Sequence, residues 1–135
     1  MWADDYYPVP ASSPKARRAP VAHSLRKWNG LQPAALAKHG MLRVGRRILS
    51  VDEDEDQTFS INSDSCALCW KYLKTGRPAE DHSRCGDCPL RKVRGGVPCD
   101  TTRPREDMSP YHRWVETGNP GRMIYWLRKA QEIHP

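Results

Sequence analysis

Two cysteine pairs, Cys66-Ala67-Leu68-Cys69 and Cys85-Gly86-Asp87-Cys88, decide how this chain is expected to fold. Each pair is a C-x2-C knuckle, and fifteen residues separate the two. In this arrangement two knuckles offer four thiolates to one tetrahedral ion, and the binding free energy of the ion becomes folding free energy. The spacing therefore predicts a structural metal site, with zinc as the expected ion.

A fifth cysteine, Cys99, follows Cys88 after ten intervening residues. It can replace one of the four knuckle cysteines or pack as a small hydrophobic residue. The predicted ligands are therefore four of the five cysteines Cys66, Cys69, Cys85, Cys88 and Cys99. A [4Fe-4S] cluster also accepts four cysteines and is the alternative cofactor. His82 lies close to the second knuckle and is interpreted as an exposed loop residue, because five thiols already compete for the ion.

The composition indicates one small domain that needs such a cross-link. The chain has 135 residues, of which 38% are hydrophobic, and its mean hydropathy is −0.80. A domain of this size buries a modest fraction of its surface, so apolar burial alone leaves little margin against chain entropy. No apolar run reaches the length of a membrane span, and the first residues lack the basic-then-apolar order of a signal peptide, so we expect a soluble intracellular protein with no membrane partner. In that reducing compartment cysteines bind metals more often than they form disulfides.

The basic charge is unevenly distributed along the chain. The net charge is +6, with nine basic and two acidic residues over 1–50, none and six over 51–65, and nine and four over 66–105. Such a field accelerates encounters with nucleic acid or with an acidic protein surface in a salt-dependent way. We interpret the acidic run 52–56 as a solvated turn.

The predicted fold class is small α+β, with short helices and a β-hairpin around the cysteine metal module. The proline-rich residues 1–22 are predicted to form a disordered arm. Residues 23–65 are expected to contain a helix pair and a hairpin, and residues 66–135 the metal module with the carboxyl-terminal helices, all within one compact domain.

Capping residues predict four of the helices. Ser24 is expected to begin a helix that ends at Gly30, and Pro33 to begin one that ends at Gly40. Residues 42–50 and 57–61 show partial strand alternation and predict the hairpin.

The carboxyl end of the chain repeats these helix signals. Ser109-Pro110 is expected to begin a helix that ends at Gly118, and Asn119-Pro120 to begin the last helix, which should pack on the metal module. Its apolar face is predicted to contain Met123, Ile124, Leu127 and Ala130.

The cysteine region resembles a group of small bacteriophage-encoded cysteine-rich proteins of unassigned function. The shared order is C-x-L-C, then C-x-x-C-P, then a glycine before a fifth cysteine, then Pro-Tyr at the start of a helix, over about residues 64–130. The matching positions here are Cys66, Leu68, Cys69, Cys85, Cys88, Pro89, Gly96, Cys99, Pro110 and Tyr111. This chain differs in a longer stretch between Cys99 and Pro110 and in the hairpin before the first knuckle. The resemblance implies a phage origin, a location in the host cytoplasm and involvement of all five cysteines.

The sequence predicts a non-enzymatic protein. A four-thiolate zinc site is closed, whereas catalytic zinc keeps an open coordination position. No nucleophile elbow, phosphate-binding glycine loop or deaminase pattern is present. The enzyme class for which candidate groups are present is a metal-dependent nuclease, and these groups are Asp81-His82 and His112.

These observations together predict a phage-encoded zinc-binding regulator that binds nucleic acid or a host complex that processes nucleic acid. The predicted contact residues are Arg43, Arg46, Arg47, Arg84, Arg91, Lys92 and Arg94. The first alternative is a protein–protein inhibitor of a host defence or transcription complex, acting through the acidic run 52–56 or the basic surface. The second alternative is an iron–sulfur protein.

Overall fold

A computed structural model describes residues 2–51, 58–62, 65–74 and 88–133. Cys85, His82, Arg84 and the acidic run 52–56, which carried predictions, lie outside these residues. Over the described part the chain is, as predicted, a small α+β protein, and its strands form one three-stranded antiparallel sheet instead of the expected two-stranded hairpin. In chain order its elements are α1 Trp2–Tyr6, α2 Pro14–Arg18, α3 Pro20–Asn29, α4 Pro33–Lys38, β1 Met41–Val44, β2 Arg47–Ser50, β3 Thr58–Ser60, α5 Ala67–Cys69, a π-helical turn Trp70–Lys74, α6 Pro89–Val93, α7 Pro110–Thr117 and α8 Gly121–Ile133.

The prediction of a disordered amino-terminal arm is wrong for residues 2–22. The Trp2 side chain is 1% exposed, lies 5.4 Å from the Phe59 ring between centroids, and donates from Nε1 to the Gly30 carbonyl at 2.7 Å. Pro14 and Pro20 do not prevent order, because each occupies the first turn of a helix, where its missing N–H is not needed. The arm therefore folds onto the core through its aromatic residues.

Helix α3 begins earlier than the capping signal indicated. Pro20 begins it and Ala19 is its N-cap, so Ser24 lies inside the helix, buried at 1% exposure, instead of capping it. The end of α3 at Gly30 agrees with the sequence. Helix α4 also runs as expected from Pro33 toward Gly40, whose φ of 64° needs a residue without a Cβ.

The single strand expected over residues 42–50 is a hairpin in its own right. Gly45, with φ of 62°, turns the chain between β1 and β2, and β2 then pairs with β3 in the order β1-β2-β3. The register pairs Arg43 with Ile48 and Ile48 with Phe59, and alternation places these three side chains on the face toward the core. The partial alternation in the sequence was therefore the signal of two short strands, not one.

The carboxyl-terminal helices follow the sequence closely. The Ser109 hydroxyl accepts a hydrogen bond from the His112 N–H at 3.2 Å, and Gly118 ends α7 in the left-handed conformation with φ of 76°. In α8 the four predicted apolar positions are all buried. This helix packs on α3 and on α6, the helix that follows the second knuckle. One apolar cluster, extending in sequence from Trp2 to Ala130, joins these elements.

Candidate metal centre

The first knuckle is built at the amino end of α5. Cys66 precedes the helix in an extended conformation, and Leu68, which is 1% exposed, anchors the turn in the core. A hydrogen bond donated by the Cys69 thiol lowers the pKa of Cys66 to about 5, and the Lys27 ammonium and the backbone N–H groups of Cys69 and Leu68 act in the same direction. Burial opposes them. The turn thus stabilises a thiolate at Cys66, the form that binds metals.

Cys69 is the protonated partner of that thiolate. Its pKa is raised because its proton is hydrogen-bonded to Cys66, because it is buried, and because negative charge on the nearby Cys66, Cys99 or Cys88 sulfurs disfavours a second thiolate. A divalent ion would remove this proton and replace the hydrogen bond by two sulfur–metal bonds, because only the thiolate coordinates.

Cys88 brings the second knuckle to the same place. It is the N-cap of α6, Pro89 occupies the first turn, and the Lys92 N–H donates to the Cys88 carbonyl at 2.9 Å. The side chain is partly buried and packs against the apolar cluster. Its knuckle partner Cys85 lies outside the described residues.

Cys99 joins these sulfurs from a separate loop. The Tyr111 N–H, in the first turn of α7, donates to the Cys99 carbonyl at 3.2 Å and holds the loop against that helix. Burial raises the pKa of the Cys99 thiol, and the Cys66 and Cys88 sulfurs add to the effect. The described structure therefore brings Cys66, Cys69, Cys88 and Cys99 into mutual electrostatic range, and none of these four forms a disulfide.

The four sulfur donors are chemically suited to a thiophilic ion, but they are not arranged in coordination geometry. Among the described residues no group of three or more His, Cys, Asp or Glu side chains is placed so that it could hold a metal ion. The four sulfurs nevertheless come from the two ends of α5, the start of α6 and one loop beside the core, and thiolates are soft donors that suit zinc or an iron–sulfur cluster. Which four of the five cysteines would bind stays a prediction.

Arg94 was predicted to contact a partner, and the structure contradicts this. Its side chain is 0% exposed, and its guanidinium forms an ion pair with Glu106, with Nη1 to Oε2 at 3.0 Å and Nη2 to Oε1 at 3.2 Å. It also donates to the Thr101 carbonyl at 2.6 Å and lies 5.5 Å from the centre of the Trp126 ring. Arg94 can be buried because the Glu106 carboxylate, twelve residues away in sequence, accepts two hydrogen bonds from the rigid guanidinium.

Arg43 is also committed to the fold. Its Nη1 donates to the Val115 carbonyl in the last turn of α7 at 2.7 Å, and its guanidinium lies 5.9 Å from the centre of the Trp114 ring. A cation at this position pairs with the carbonyl end of the helix. Arg43 is half-buried, so little of its side chain is accessible to nucleic acid or a protein partner.

The other predicted contact residues divide by position. Arg46 and Arg47 are exposed at the β1–β2 turn, and Lys92 is exposed on α6. Arg91 is half-buried, and its Nε donates to the Gly96 carbonyl at 2.7 Å. Arg84 lies outside the described residues.

Sequence reasoning missed two features. Lys27 is buried beside the cysteines, and only its helical spacing from the apolar residues of α3 could have indicated this. The solvent face of α8 carries three exposed cations and the half-exposed ring of Tyr125. Lys129 Nζ lies 5.7 Å from the centre of that ring. The cations are Arg122, Arg128 and Lys129.

One of the groups available to a nuclease is visible. His112 is exposed, and its Nδ1 lies 2.8 Å from the Ser109 hydroxyl within the cap of α7. Asp81 and His82 lie outside the described residues. The prediction of a non-enzymatic protein therefore stays a prediction.

The chain matches no protein-family model, no curated protein and no solved structure. The likeness to phage-encoded cysteine-rich proteins thus stays a prediction. No helix in the described ranges is both long enough and apolar enough to cross a bilayer.

Proposed function

We propose that this protein is a non-enzymatic regulator that folds around one structural zinc ion and binds nucleic acid through the basic surface of that fold. The main support for the zinc centre comes from the first knuckle, where a neighbouring thiol, a buried ammonium and two backbone N–H groups all favour a thiolate at Cys66. Groups that orient and charge a ligand in this way are typical of metal-binding cysteines.

The charge of the solvent-facing side chains supports nucleic acid as the partner. Among the described residues eleven lysines and arginines are exposed, against six aspartates and glutamates. Arg46 and Arg47 extend this charge at a tight turn, and α8 presents three exposed cations together with the half-exposed Tyr125, a combination that suits phosphates and stacked bases. The resemblance to phage proteins supports a role in an infected bacterial cell, on nucleic acid there or on a complex that processes it.

The test is binding of fluorescent oligonucleotides, single-stranded and duplex, measured by anisotropy over a series of salt concentrations. We expect micromolar or tighter binding whose affinity falls steeply with salt. The double variant Arg46→Gln/Arg47→Gln should lower the slope of log affinity against log salt by about 2, because each phosphate contact contributes about 1.

The matched control is Lys15→Gln/Lys38→Gln, which removes two equally exposed charges from α2 and α4. Its slope should change less than that of the hairpin variant. Absence of binding to every oligonucleotide at low salt by the zinc-loaded protein would reject nucleic acid and favour a protein partner. An inhibitor that acts through the acidic run would then lose that partner on deletion of residues 52–56.

A further inference from the structure

Lys27 is a buried ammonium with no carboxylate beside it in the described structure. It lies on α3, is 1% exposed, and its Nζ donates to the Ser65 carbonyl at 2.8 Å. Its other described contact is with the neighbouring Trp28 ring, whose centre is 5.7 Å away. The two ion pairs found among described residues do not include it. An ammonium buried in this way is costly unless an anion compensates for its lost hydration.

The ionisable groups around the Lys27 ammonium are cysteines, whose deprotonated forms would stabilise it. Burial lowers the pKa of Lys27, and the Cys66, Cys69 and Cys99 sulfurs oppose that effect. The hydrogen bond to Ser65 fixes the ammonium at the residue directly before Cys66, the first residue of the knuckle. α3 also packs on α5, which carries the rest of that knuckle. The hydrogen bond and the packing of the two helices therefore place the positive charge of α3 beside the first knuckle.

Neutral thiols do not compensate a buried cation. A thiolate at Cys66 does so only above the pKa of that sulfur, whereas metal-bound thiolates stay anionic. Four thiolates on one zinc ion carry a net charge of −2, and three thiolates with a neutral histidine carry −1, at any pH where the metal stays bound. We infer that Lys27 is the buried counter-charge of an anionic thiolate–metal centre, and that it positions Cys66 through the hydrogen bond to Ser65. This inference rests on the proposed zinc centre and adds its sign of charge and its outer partner.

The test compares the zinc affinity of the full-length wild-type chain with that of three variants by chelator competition. Lys27→Met keeps the apolar stem and removes the charge, Lys27→Arg keeps the charge, and Lys38→Met removes an exposed lysine of α4 as the control. We expect one zinc per chain throughout, an affinity about 10- to 100-fold lower for Lys27→Met, as for other outer partners of metal ligands, and near wild-type affinity for the other two.

A second readout reports the charge itself. In the cobalt-substituted protein the thiolate-to-cobalt charge-transfer bands should move to lower energy in Lys27→Met, because a nearby cation stabilises the sulfur electrons. A purely structural role of Lys27 predicts no such directed shift. Lys27→Arg should restore the wild-type band positions.

Each outcome decides between the two proposals. A wild-type chain that binds no zinc overturns the centre and the role of Lys27 together. Zinc binding by the wild type with unchanged affinity in Lys27→Met overturns the counter-charge alone. If Lys27→Met does not fold without metal, its zinc affinity is read from the zinc dependence of its circular dichroism. Failure of Lys27→Arg to recover the wild-type dependence would show that the shape of the side chain matters and its charge does not.

Discussion

Arg94 illustrates how one buried side chain can organise a loop that has little secondary structure of its own. The guanidinium binds carbonyls of Val97 and Thr101 and the carboxylate of Glu106, which is 14% exposed. Cys99 lies inside the loop that these contacts close. The ion pair therefore helps to hold the fifth cysteine against the core.

Arg94→Met should destabilise the protein by about 3–5 kcal/mol, because it leaves the Glu106 carboxylate without its buried partner. The measurement is the free energy of unfolding from urea titration of the zinc-loaded protein. Lys92→Met removes an exposed cation two residues away and should change stability by no more than about 0.5 kcal/mol. Similar losses in both variants would contradict the structural role of Arg94.

At the scale of single elements, the ends of helices depend on local chemistry and were therefore predictable. The cap at Ser109 and the stop at Gly118 each involve residues within one turn, so their signals survive in the bare sequence. The start of α3 was not predictable in the same way, because the proline rule at Pro20 and the capping rule at Ser24 competed and the proline rule prevailed.

Gly118 carries a second constraint besides its positive φ. A Cβ built there would lie 2.9 Å from Arg43 Nε, whereas at Gly45, with a similar φ, nothing lies within 4 Å. Gly45→Ala should cost about 1–2 kcal/mol from the left-handed conformation alone, and Gly118→Ala should cost more because Arg43 must also leave the end of α7. Thermal unfolding of the two variants provides the comparison. A smaller loss at Gly118 than at Gly45 would exclude the contact with Arg43.

Trp2 is the buried residue of helix α1. Trp2→Ala should destabilise the protein by about 3–5 kcal/mol, because it removes a buried indole and its hydrogen bond to Gly30. Ser12→Ala changes an exposed position in the same segment and should be nearly neutral. Equal chemical stability of Trp2→Ala and the wild type in urea unfolding would restore the disordered arm that composition predicted.

Across the whole molecule, prediction succeeded where neighbours in sequence decide structure and failed where distant residues decide it. The order of an amino-terminal tryptophan depends on Phe59 and Gly30, and the burial of Arg94 depends on Glu106. Neither partner can be identified from composition or periodicity, because tertiary contacts override both. Short C-x2-C turns constrain only the two cysteines of one knuckle, so the position of Cys88 and Cys99 relative to Cys66 and Cys69 depends on distant contacts. A metal site shared by these cysteines stays a prediction.

The basic charge of the molecule could likewise be predicted only in part. The excess of basic residues was visible in the sequence, but their availability was not, since Arg94 is buried and Arg43 is tied to α7. Exposed cations of α8 take their place on the surface. Any partner of this protein therefore meets a basic surface that differs from the one that sequence order indicated.

Elemental analysis of anaerobically purified protein, with circular dichroism before and after chelation, is the decisive experiment for the metal centre. We expect one zinc per chain, a colourless protein, and loss of helical signal when the metal is removed, because metal binding contributes folding free energy. Iron with sulfide and visible absorption would replace zinc by an iron–sulfur cluster. Protein that contains no metal and keeps its full circular dichroism in the presence of a strong chelator would contradict the metal centre.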